Sequence, residues 1–288
     1  MTLREILKEG VSVLQSAGIA EYELDAWLLL SYVTGVSRAY YYAHMDEPVP
    51  DAKREEYEKC IRLRSEHVPV QHITHQAFFM GYEFYVDENV LIPRQDTEIL
   101  AERCLAVLKG KKNPRILDMC TGSGCILTSL LLEIPGAEGT GADISEGALR
   151  VAEKNAERLG TIGRSRFIKS NLFSASFFDK INRHSAAKYD ILVSNPPYIR
   201  TGVIDTLSQE VRDHDPRTAL DGGEDGLYFY RQIINEAPRY LVPGGNLLFE
   251  IGFDQAQEVG DLLRGAGYTD VRITRDLSGL CRTAEAHI

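Results

Sequence analysis

Cysteine is sparse and scattered in this chain of 288 residues. The five thiols (Cys60, Cys104, Cys120, Cys125 and Cys281) are odd in number. They form no Cys-x-x-Cys pair and no His/Cys cluster with zinc spacing. That pattern points to a reducing cytoplasm, free thiols and no structural metal. Long apolar runs are missing too, and the longest stretches fall far short of the roughly 20 residues that span a bilayer. Met1-Thr2-Leu3-Arg4-Glu5 carries an acid early and opens no apolar core, so it does not read as a secretory signal. Basic charge is in deficit: 32 Lys and Arg face 42 Asp and Glu, for a net charge of −10. Acids outnumber bases over residues 1–75 as well. A nonspecific nucleic-acid binder usually needs a basic face, so direct nucleic-acid binding is not expected. No internal repeat or low-complexity tract stands out. What is present, 44% hydrophobic and 26% charged residues, is an ordinary globular mix long enough for one large or two smaller domains.

Residues 1–70 read as a small helical bundle. Thr2-Leu3-Arg4-Glu5 is a capping box ahead of Ile6, Leu7, Val11 and Leu14 at helical spacing, and Gly18 ends that helix. A second helix, Tyr22 to Val33, is expected to bury Leu24, Leu28 and Leu29 and to stop at Gly35. A short third helix follows from Ser37 to His44. The fourth opens at Pro50-Asp51 and turns Tyr57, Cys60 and Ile61 inward. The run Tyr40-Tyr41-Tyr42 suits either an interface or aromatic packing between short helices.

Residues 71–94 change character. Phe78 to Val86 and Val90-Leu91-Ile92 are β-prone and broken by Gly81 and Asp87-Glu88-Asn89, which reads as a β-hairpin linker between two domains. It leads to Pro93-Arg94-Gln95-Asp96-Thr97-Glu98. Asp96 or Thr97 is expected to cap the next helix, and Arg94, just ahead, is either a ligand contact or a surface ion pair.

From residue 95 to 288 strands alternate with helices, the pattern of a parallel α/β sheet. Arg115-Ile116-Leu117-Asp118-Met119 is a buried strand running into Cys120-Thr121-Gly122-Ser123-Gly124 and a helix, a unit whose glycines let backbone approach a nucleotide-like ligand closely. A nicotinamide fingerprint would need glycine where Leu127 stands, and a P-loop would need Gly-Lys-Ser/Thr. Asp118 followed by this turn instead resembles the first motif of S-adenosylmethionine-dependent methyltransferases. The second strand ends at Asp143, about 20 residues past the turn, where a carboxylate is placed to accept both ribose hydroxyls. Asp143 as a helix cap is compatible with that role. The third strand ends at Asn171-Leu172, positions that in this class flank an adenine edge and face. Residues 174–188 read as a polar loop, and Thr201 to Glu224 as a long irregular segment of the kind that forms lids or substrate contacts. A fifth strand follows the Pro243-Gly244-Gly245 turn, and two closing strands complete the sheet.

The fourth strand, Tyr189 to Ser194, runs into Asn195-Pro196-Pro197-Tyr198. Neither proline has an N–H for a ladder, so the strand stops and the motif stands rigidly at the sheet's carboxyl edge, where ligands bind in open α/β sheets. The arrangement suits a weakly nucleophilic planar nitrogen, an –NH2 on an amide or a base. The Asn195 side-chain carbonyl and the Pro196 backbone carbonyl can each accept one N–H, and Tyr198 can stack on the planar group. The prolines keep these acceptors preorganised. No dedicated strong base and no metal are required.

These segments together resemble the HemK/PrmC family, which methylates the glutamine amide in the Gly-Gly-Gln motif of peptide chain release factors. The resemblance covers nearly the full length. It is carried by Leu91 through Glu98, Asp118 through Gly124, Asp143, Asn195 through Tyr198 and Ala219 through Leu227, with Gln95, Cys120, His72, His75 and Leu172 as departures. It implies a Rossmann-like seven-stranded S-adenosylmethionine-dependent methyltransferase domain (95–288) with an N-terminal helical substrate-recognition domain (1–70) that helps grip the release factor. S-adenosylmethionine is the implied cofactor, and S-adenosylhomocysteine its product. The cofactor would be held by Cys120, Thr121, Gly122, Ser123, Gly124, Asp143, Asn171, Leu172 and Asn195. Asn195, Pro196, Pro197 and Tyr198 would hold the substrate, with Asn195, Pro196 and Tyr198 catalytic. The rival readings are a nucleic-acid amino-group N-methyltransferase, which would flip an adenine or guanine into the same pocket, and a cofactor-binding interaction module without catalysis.

Overall fold

The computed structural model describes residues 1–183 and 188–288. They form two compact units, one of residues 1–76 with 208–214 and one of residues 77–207 with 215–288.

The first unit is helical: α1 (Leu3–Ser16), α2 (Tyr22–Thr34), α3 (Arg38–His44), α4 (Asp51–Ser65) and α5 (Val70–Thr74). Thr2 closes the capping box on α1, its hydroxyl accepting from the Glu5 N–H while Glu5 accepts from the Thr2 N–H. The core packs Ile6 and Leu14 of α1 and Leu29, Leu30 and Val33 of α2 against Tyr57, Cys60 and Ile61 of α4. Leu24 and Leu28, expected on the buried face of α2, are instead exposed; the inward stripe runs through Asp25, Ala26, Leu29, Leu30 and Val33. Asp25 takes an inward position because the buried Arg64 donates to it at 2.7 Å. Burial pushes the Asp25 carboxyl up, and Arg64 draws it back. In the tyrosine run, Tyr41 packs edge-on against Trp27, whereas Tyr40 and Tyr42 are exposed.

The second unit opens with an antiparallel hairpin, β1 (Ala77–Phe79) and β2 (Tyr82–Phe84), whose Phe79 and Phe84 sit in the core under α6 (Gln95–Leu108). Val90-Leu91-Ile92, read as strand from its residues, is not one. Val90 and Ile92 are buried as irregular chain against Ala148 and Val151, and apolar burial alone accounts for their composition. Neither Asp96 nor Thr97 caps α6, which begins at Gln95 without a side-chain cap. Thr97 is buried within its first turn, and Asp96 pairs with Arg282 at 2.9 Å.

The main sheet comprises β3 (Arg115–Met119), β4 (Glu138–Asp143), β5 (Ser165–Lys169), β6 (Tyr189–Ser194), β7 (Leu241–Glu250), β8 (Thr269–Arg275) and β9 (Cys281–His287). Its spatial order is β5-β4-β3-β6-β7-β9-β8, parallel except for β9, which runs antiparallel to both neighbours. Alternation along each strand splits the core. Ile116, Ile191, Val193 and Leu248 face α6 and α7 (Cys125–Glu133), while Leu117, Leu192, Leu247 and Phe249 join a larger cluster on the other face. The helix α8 (Glu146–Arg158) follows β4. Residues 174–188, expected as a polar loop, carry α9 (Ser176–Arg183), whose Phe178 and Ile181 join that larger cluster; residues 184–187 lie outside the described residues. The segment expected to be irregular, 201–224, holds a 3-10 turn (Thr201–Thr206) and two short helices, α10 (Gln209–His214) and α11 (Arg217–Leu220). α10 belongs to the first unit, where Glu210 receives a bond from Arg64. α12 (Tyr228–Glu236) and α13 (Ala256–Gly265) cover the sheet through Tyr230, Ile233, Val259 and Leu263.

The chain leaves β3 to lay β4 and β5 on one side, then returns to place β6 on the other. The carboxyl ends of β3 and β6 therefore flank the point where the strand order reverses, the position at which open α/β sheets hold ligands.

Candidate active site

At that edge the backbone is tied strand to strand. Ser194 at the end of β6 donates to the Met119 carbonyl at 2.6 Å, Thr121 N–H to the Ala142 carbonyl at 3.1 Å, and Ser170 N–H to the Asp143 carbonyl at 2.8 Å. A cavity of about 530 Å3 opens there, within the size class of small-molecule and cofactor sites. Cys120, Thr121, Gly122, Ser123, Asp143, Asn171, Leu172, Asn195 and Pro197 line it, so residues far apart in sequence meet around one cavity.

Asp118 is fully buried at the end of β3 and organises the turn: its Oδ2 accepts from the Thr121 hydroxyl at 2.6 Å. Burial pushes its carboxyl up to about 7, although the Thr121 bond pulls the other way. Cys120 holds the left-handed conformation at φ 61° and Leu172 does so at φ 50°. Each costs about 1–2 kcal/mol for a residue with a Cβ, and such strain gathers at ligand sites. The requirement at position 120 explains why a glycine is the easier residue there. Burial raises the Cys120 thiol, which argues against a nucleophilic role.

Gly122 holds φ 54°, and a Cβ added there would meet no protein atom within 4 Å, so its backbone is open to an incoming group. Gly124, in contrast, is absent from the cavity lining. A Cβ at Gly124 would come within 3.0 Å of the Ala152 Cβ, so this glycine serves the packing of α7 against α8. Asn155 of α8 adds a tie that its residue type alone does not announce. It is fully buried, donates to the carbonyls of Ser123 at 2.9 Å and Tyr85 at 3.0 Å, and accepts from the Tyr85 N–H at 2.7 Å.

Asp143 ends β4 with Oδ2 accepting from the Gly122 N–H and Oδ1 from the Ser145 N–H, each at 2.9 Å. Burial raises its carboxyl, and these backbone N–H bonds counter it. Asp143 thus anchors the turn, while the cap of α8 is Ser145, whose hydroxyl accepts from the Ala148 N–H; the carboxylate keeps further lone-pair capacity.

Asn195 reaches α6, its Nδ2 donating to the Thr97 hydroxyl at 3.4 Å. Pro196 and Tyr198 do not belong to the cavity lining: Pro196 is buried, and the Tyr198 hydroxyl donates to Glu250 Oε1 at 3.1 Å. Burial raises the Tyr198 hydroxyl. The backbone carbonyl of Tyr198 accepts from Gln255 Nε2 at 3.0 Å, which fixes the chain just past the prolines.

Asn89 to Ile92, Tyr228 and Phe229, which sequence reasoning did not place in the site, complete the lining, together with Pro216 to Ala219 of the segment expected to form lids or substrate contacts. Arg94 also lines the cavity and donates to the buried Asp215 Oδ2 at 2.8 Å, so of its two expected roles the ion pair is formed, with a buried partner. Among the described residues no group of three or more His, Cys, Asp and Glu side chains is placed to hold a metal ion.

Known proteins match this chain over most of its length. Residues 5–74 match the PrmC N-terminal domain family and residues 110–259 a methyltransferase domain family. The release factor glutamine methyltransferase of Chlorobaculum tepidum is 41% identical over 283 residues, covering 96% of this chain and 94% of that one. The protein of the same name from Clostridium botulinum is 36% identical over 286 residues, 99% of each chain. This chain belongs to the release factor glutamine methyltransferase family. Solved structures support the methyltransferase fold. The hMettl16 catalytic domain, solved with the MAT2A 3′UTR hairpin 6, aligns with a TM-score of 0.57 at 16% identity, over 82% of this chain and 81% of that one. A methyltransferase from Pyrococcus furiosus aligns at 0.50 and 16% identity, over 73% and 90%. Of the residues that the resemblance implied for cofactor and substrate, Cys120 to Ser123, Asp143, Asn171, Leu172, Asn195 and Pro197 line one cavity, and Gly124, Pro196 and Tyr198 do not. Among the described residues no helix is long and apolar enough to cross a membrane.

Proposed function

We propose that this chain transfers a methyl group from S-adenosylmethionine to the side-chain amide nitrogen of the glutamine in the Gly-Gly-Gln motif of peptide chain release factors, in the cytoplasm, with no direct nucleic-acid binding. One observation carries the reading. Asn195 lines the same cavity as the glycine turn and Asp143, in a chain 36–41% identical to release factor glutamine methyltransferases over nearly its whole length. The residues fit the cofactor: Gly122 leaves its backbone open, and Asp143 keeps carboxylate lone pairs beyond its two N–H bonds.

In this reading Asp143 accepts the ribose hydroxyls. Asn171 meets the adenine edge, Leu172 covers its face, and Cys120 to Ser123 wrap the methionine and ribose part, with Gly124 acting through packing. The bound sulfonium supplies the electrophilic methyl. The Asn195 Oδ1 and the Pro196 carbonyl accept the two N–H bonds of the substrate amide, holding its nitrogen for in-line attack as positive charge builds on it. Once alkylated, that nitrogen sheds its proton without a strong base. Tyr198, anchored at its hydroxyl by Glu250, offers its ring to the amide plane. Because Pro196 and Tyr198 lie outside the cavity lining, theirs are the assignments a peptide complex tests most sharply. The helical unit is assigned to gripping the release factor.

The test offers purified enzyme and labelled S-adenosylmethionine a release factor, tRNA, rRNA and DNA in parallel. Label on the release factor supports the proposal. Label on nucleic acid alone would move the chain to the amino-group N-methyltransferases of adenine or guanine. Cofactor binding without transfer to any of them would favour a binding module.

A further inference from the structure

Two buried polar groups stand behind the Asn-Pro-Pro-Tyr turn, Thr97 with no part in the mechanism so far and Glu250 so far only as the anchor of the Tyr198 hydroxyl. Thr97, in the first turn of α6, is 3% exposed and lines the cavity beside Asn195. Glu250, the last residue of β7, is 4% exposed. Ser194 of β6 is in register with Phe249 of β7, so Asn195 and Glu250 leave adjacent parallel strands at the same edge. A carboxyl group placed there carries a desolvation cost that an apolar residue would avoid.

The bonds around it have a direction. Tyr198 donates its hydroxyl to Glu250 Oε1, and Asn195 Nδ2 donates to Thr97 Oγ1. Burial raises the Glu250 carboxyl, and the neighbouring Thr97 and Tyr198 hydroxyls draw it back toward ionisation. Its Oε2 is enclosed without a fully formed hydrogen bond, and the Thr97 hydroxyl is the neighbouring donor able to serve it. A threonine hydroxyl has one proton to give. Once that proton is committed to a carboxylate, Thr97 can only accept from Asn195. The amide must then present its NH2 to Thr97, which leaves Oδ1 as the acceptor for the cavity.

We infer that Thr97 and Glu250 are positioning residues that set which way the Asn195 amide faces, Glu250 holding the Tyr198 ring by the same carboxylate. The inference rests on Asn195 acting as proposed above. A flipped Asn195 would point an N–H at the N–H of the substrate, so orientation and not mere presence of the amide decides turnover. Thr97→Val keeps the volume and removes the hydroxyl. Thr97→Ser keeps the hydroxyl and removes a methyl.

The experiment measures methyl transfer to a release factor by the wild type and these two variants, with calorimetry for S-adenosylmethionine and a melting curve for each. Wild-type turnover is the control for the functional reading. If the wild type transfers nothing to the release factor, that reading fails independently of the variants. With an active wild type, Thr97→Val is expected to lose about ten- to a hundredfold in kcat, the scale of misplacing a reacting group. Its KM and its cofactor Kd should stay within about threefold, and Thr97→Ser should recover most of the loss, the split expected for an interaction that matters only at the transition state. Glu250→Gln, whose NH2 competes with the Thr97 and Tyr198 donors, should lower kcat in the same way and carries the test if Thr97→Val does not fold. Wild-type kcat in folded Thr97→Val or folded Glu250→Gln would overturn the inference. So would a Thr97→Ser enzyme as slow as Thr97→Val, or a loss matched in cofactor Kd.

Discussion

Replacing Asp143 by asparagine preserves its shape almost atom for atom, yet the structure says it should be costly. Both carboxylate oxygens are engaged as acceptors: Oδ2 from the Gly122 N–H and Oδ1 from the Ser145 N–H, each at 2.9 Å. An amide has one acceptor oxygen and turns two N–H groups outward at the other end. In either orientation it therefore faces a backbone donor with a donor. Hydrogen bonds to a charged group contribute about 1.5–3 kcal/mol each, and leaving a buried donor unmet costs about 1–3 kcal/mol. The variant should lose about 1–3 kcal/mol of stability by this route. If Asp143 also accepts the ribose hydroxyls, exchanging a charged acceptor for a neutral amide should raise the Kd for S-adenosylmethionine by about ten- to a hundredfold, at 1.4 kcal/mol per decade. If the turn is displaced where Gly122 is released, the loss would be larger still. The assay is isothermal calorimetry with S-adenosylmethionine, run well below the variant's melting temperature so that unfolding does not mimic weak binding. A Kd within about twofold of the wild type, with the expected loss of stability, would show that Asp143 only builds the turn, and the ribose assignment would be wrong.

Asn195→Ala should leave the cofactor Kd within a fewfold of wild type and cut kcat by about a hundredfold or more, because it removes an acceptor used at the transition state; equal losses in calorimetry and turnover would make Asn195 structural. Asp118 has a folded-state carboxyl raised to about 7, so the folded protein holds the proton more tightly than the unfolded chain. Its contribution is fully present below about pH 4 and lost as pH rises through about 7, on the order of 4 kcal/mol. Asp118→Asn should therefore gain stability relative to wild type as pH is raised from 5 to 8, read by urea unfolding; a gap between the two that stays constant with pH would refute that burial. In the helical unit, Asp25→Ala removes one of the two carboxylates that hold the buried Arg64, Glu210 remaining, and should destabilise by about 1–3 kcal/mol; a double-mutant cycle with Arg64→Met in denaturant unfolding should show a coupling energy, and additive losses would mean the pair is not coupled.

The strands facing the site were legible because buried parallel strands read as continuous apolar runs, as Ile116-Leu117 and Ile191-Leu192-Val193 do. The glycine turn and Asn195 were legible because each follows such a run at a distinctive breaker; Asp143 follows Glu138-Gly139-Thr140-Gly141-Ala142, which is no apolar run, and was marked by its spacing from the turn. Local signals carried less about neighbours. Leu24 and Leu28 fit a helical face as well as Leu29 does, and the side that turns inward is the one carrying Ala26, Leu29, Leu30 and Val33 together with Asp25, the partner of Arg64. Residues 174–188 read as a loop by their polar composition, yet Phe178 and Ile181 stand at helical spacing on the buried side of α9. Thr97 resembled a cap by residue type, but its hydroxyl accepts from Asn195 Nδ2, a tertiary partner. Pro216 to Ala219 lie in the long segment read as a lid or substrate contact, whereas Tyr228 and Phe229, at the start of α12, line the cavity through tertiary folding that no local pattern encodes. Glu250 left one trace in sequence, a single acid inside the apolar run Leu247 to Ile251, and a buried strand has little reason to keep an acid without a partner.

The most direct test of the central claim is to locate the methyl group. Wild-type enzyme is incubated with labelled S-adenosylmethionine and a purified release factor, beside a release factor whose Gly-Gly-Gln glutamine has been replaced, and the products are mapped by peptide mass spectrometry. One methyl on the amide of that glutamine, and none on the replaced protein, is the expected result. A methyl on another residue, equal labelling of both proteins, or no label on either would contradict the account.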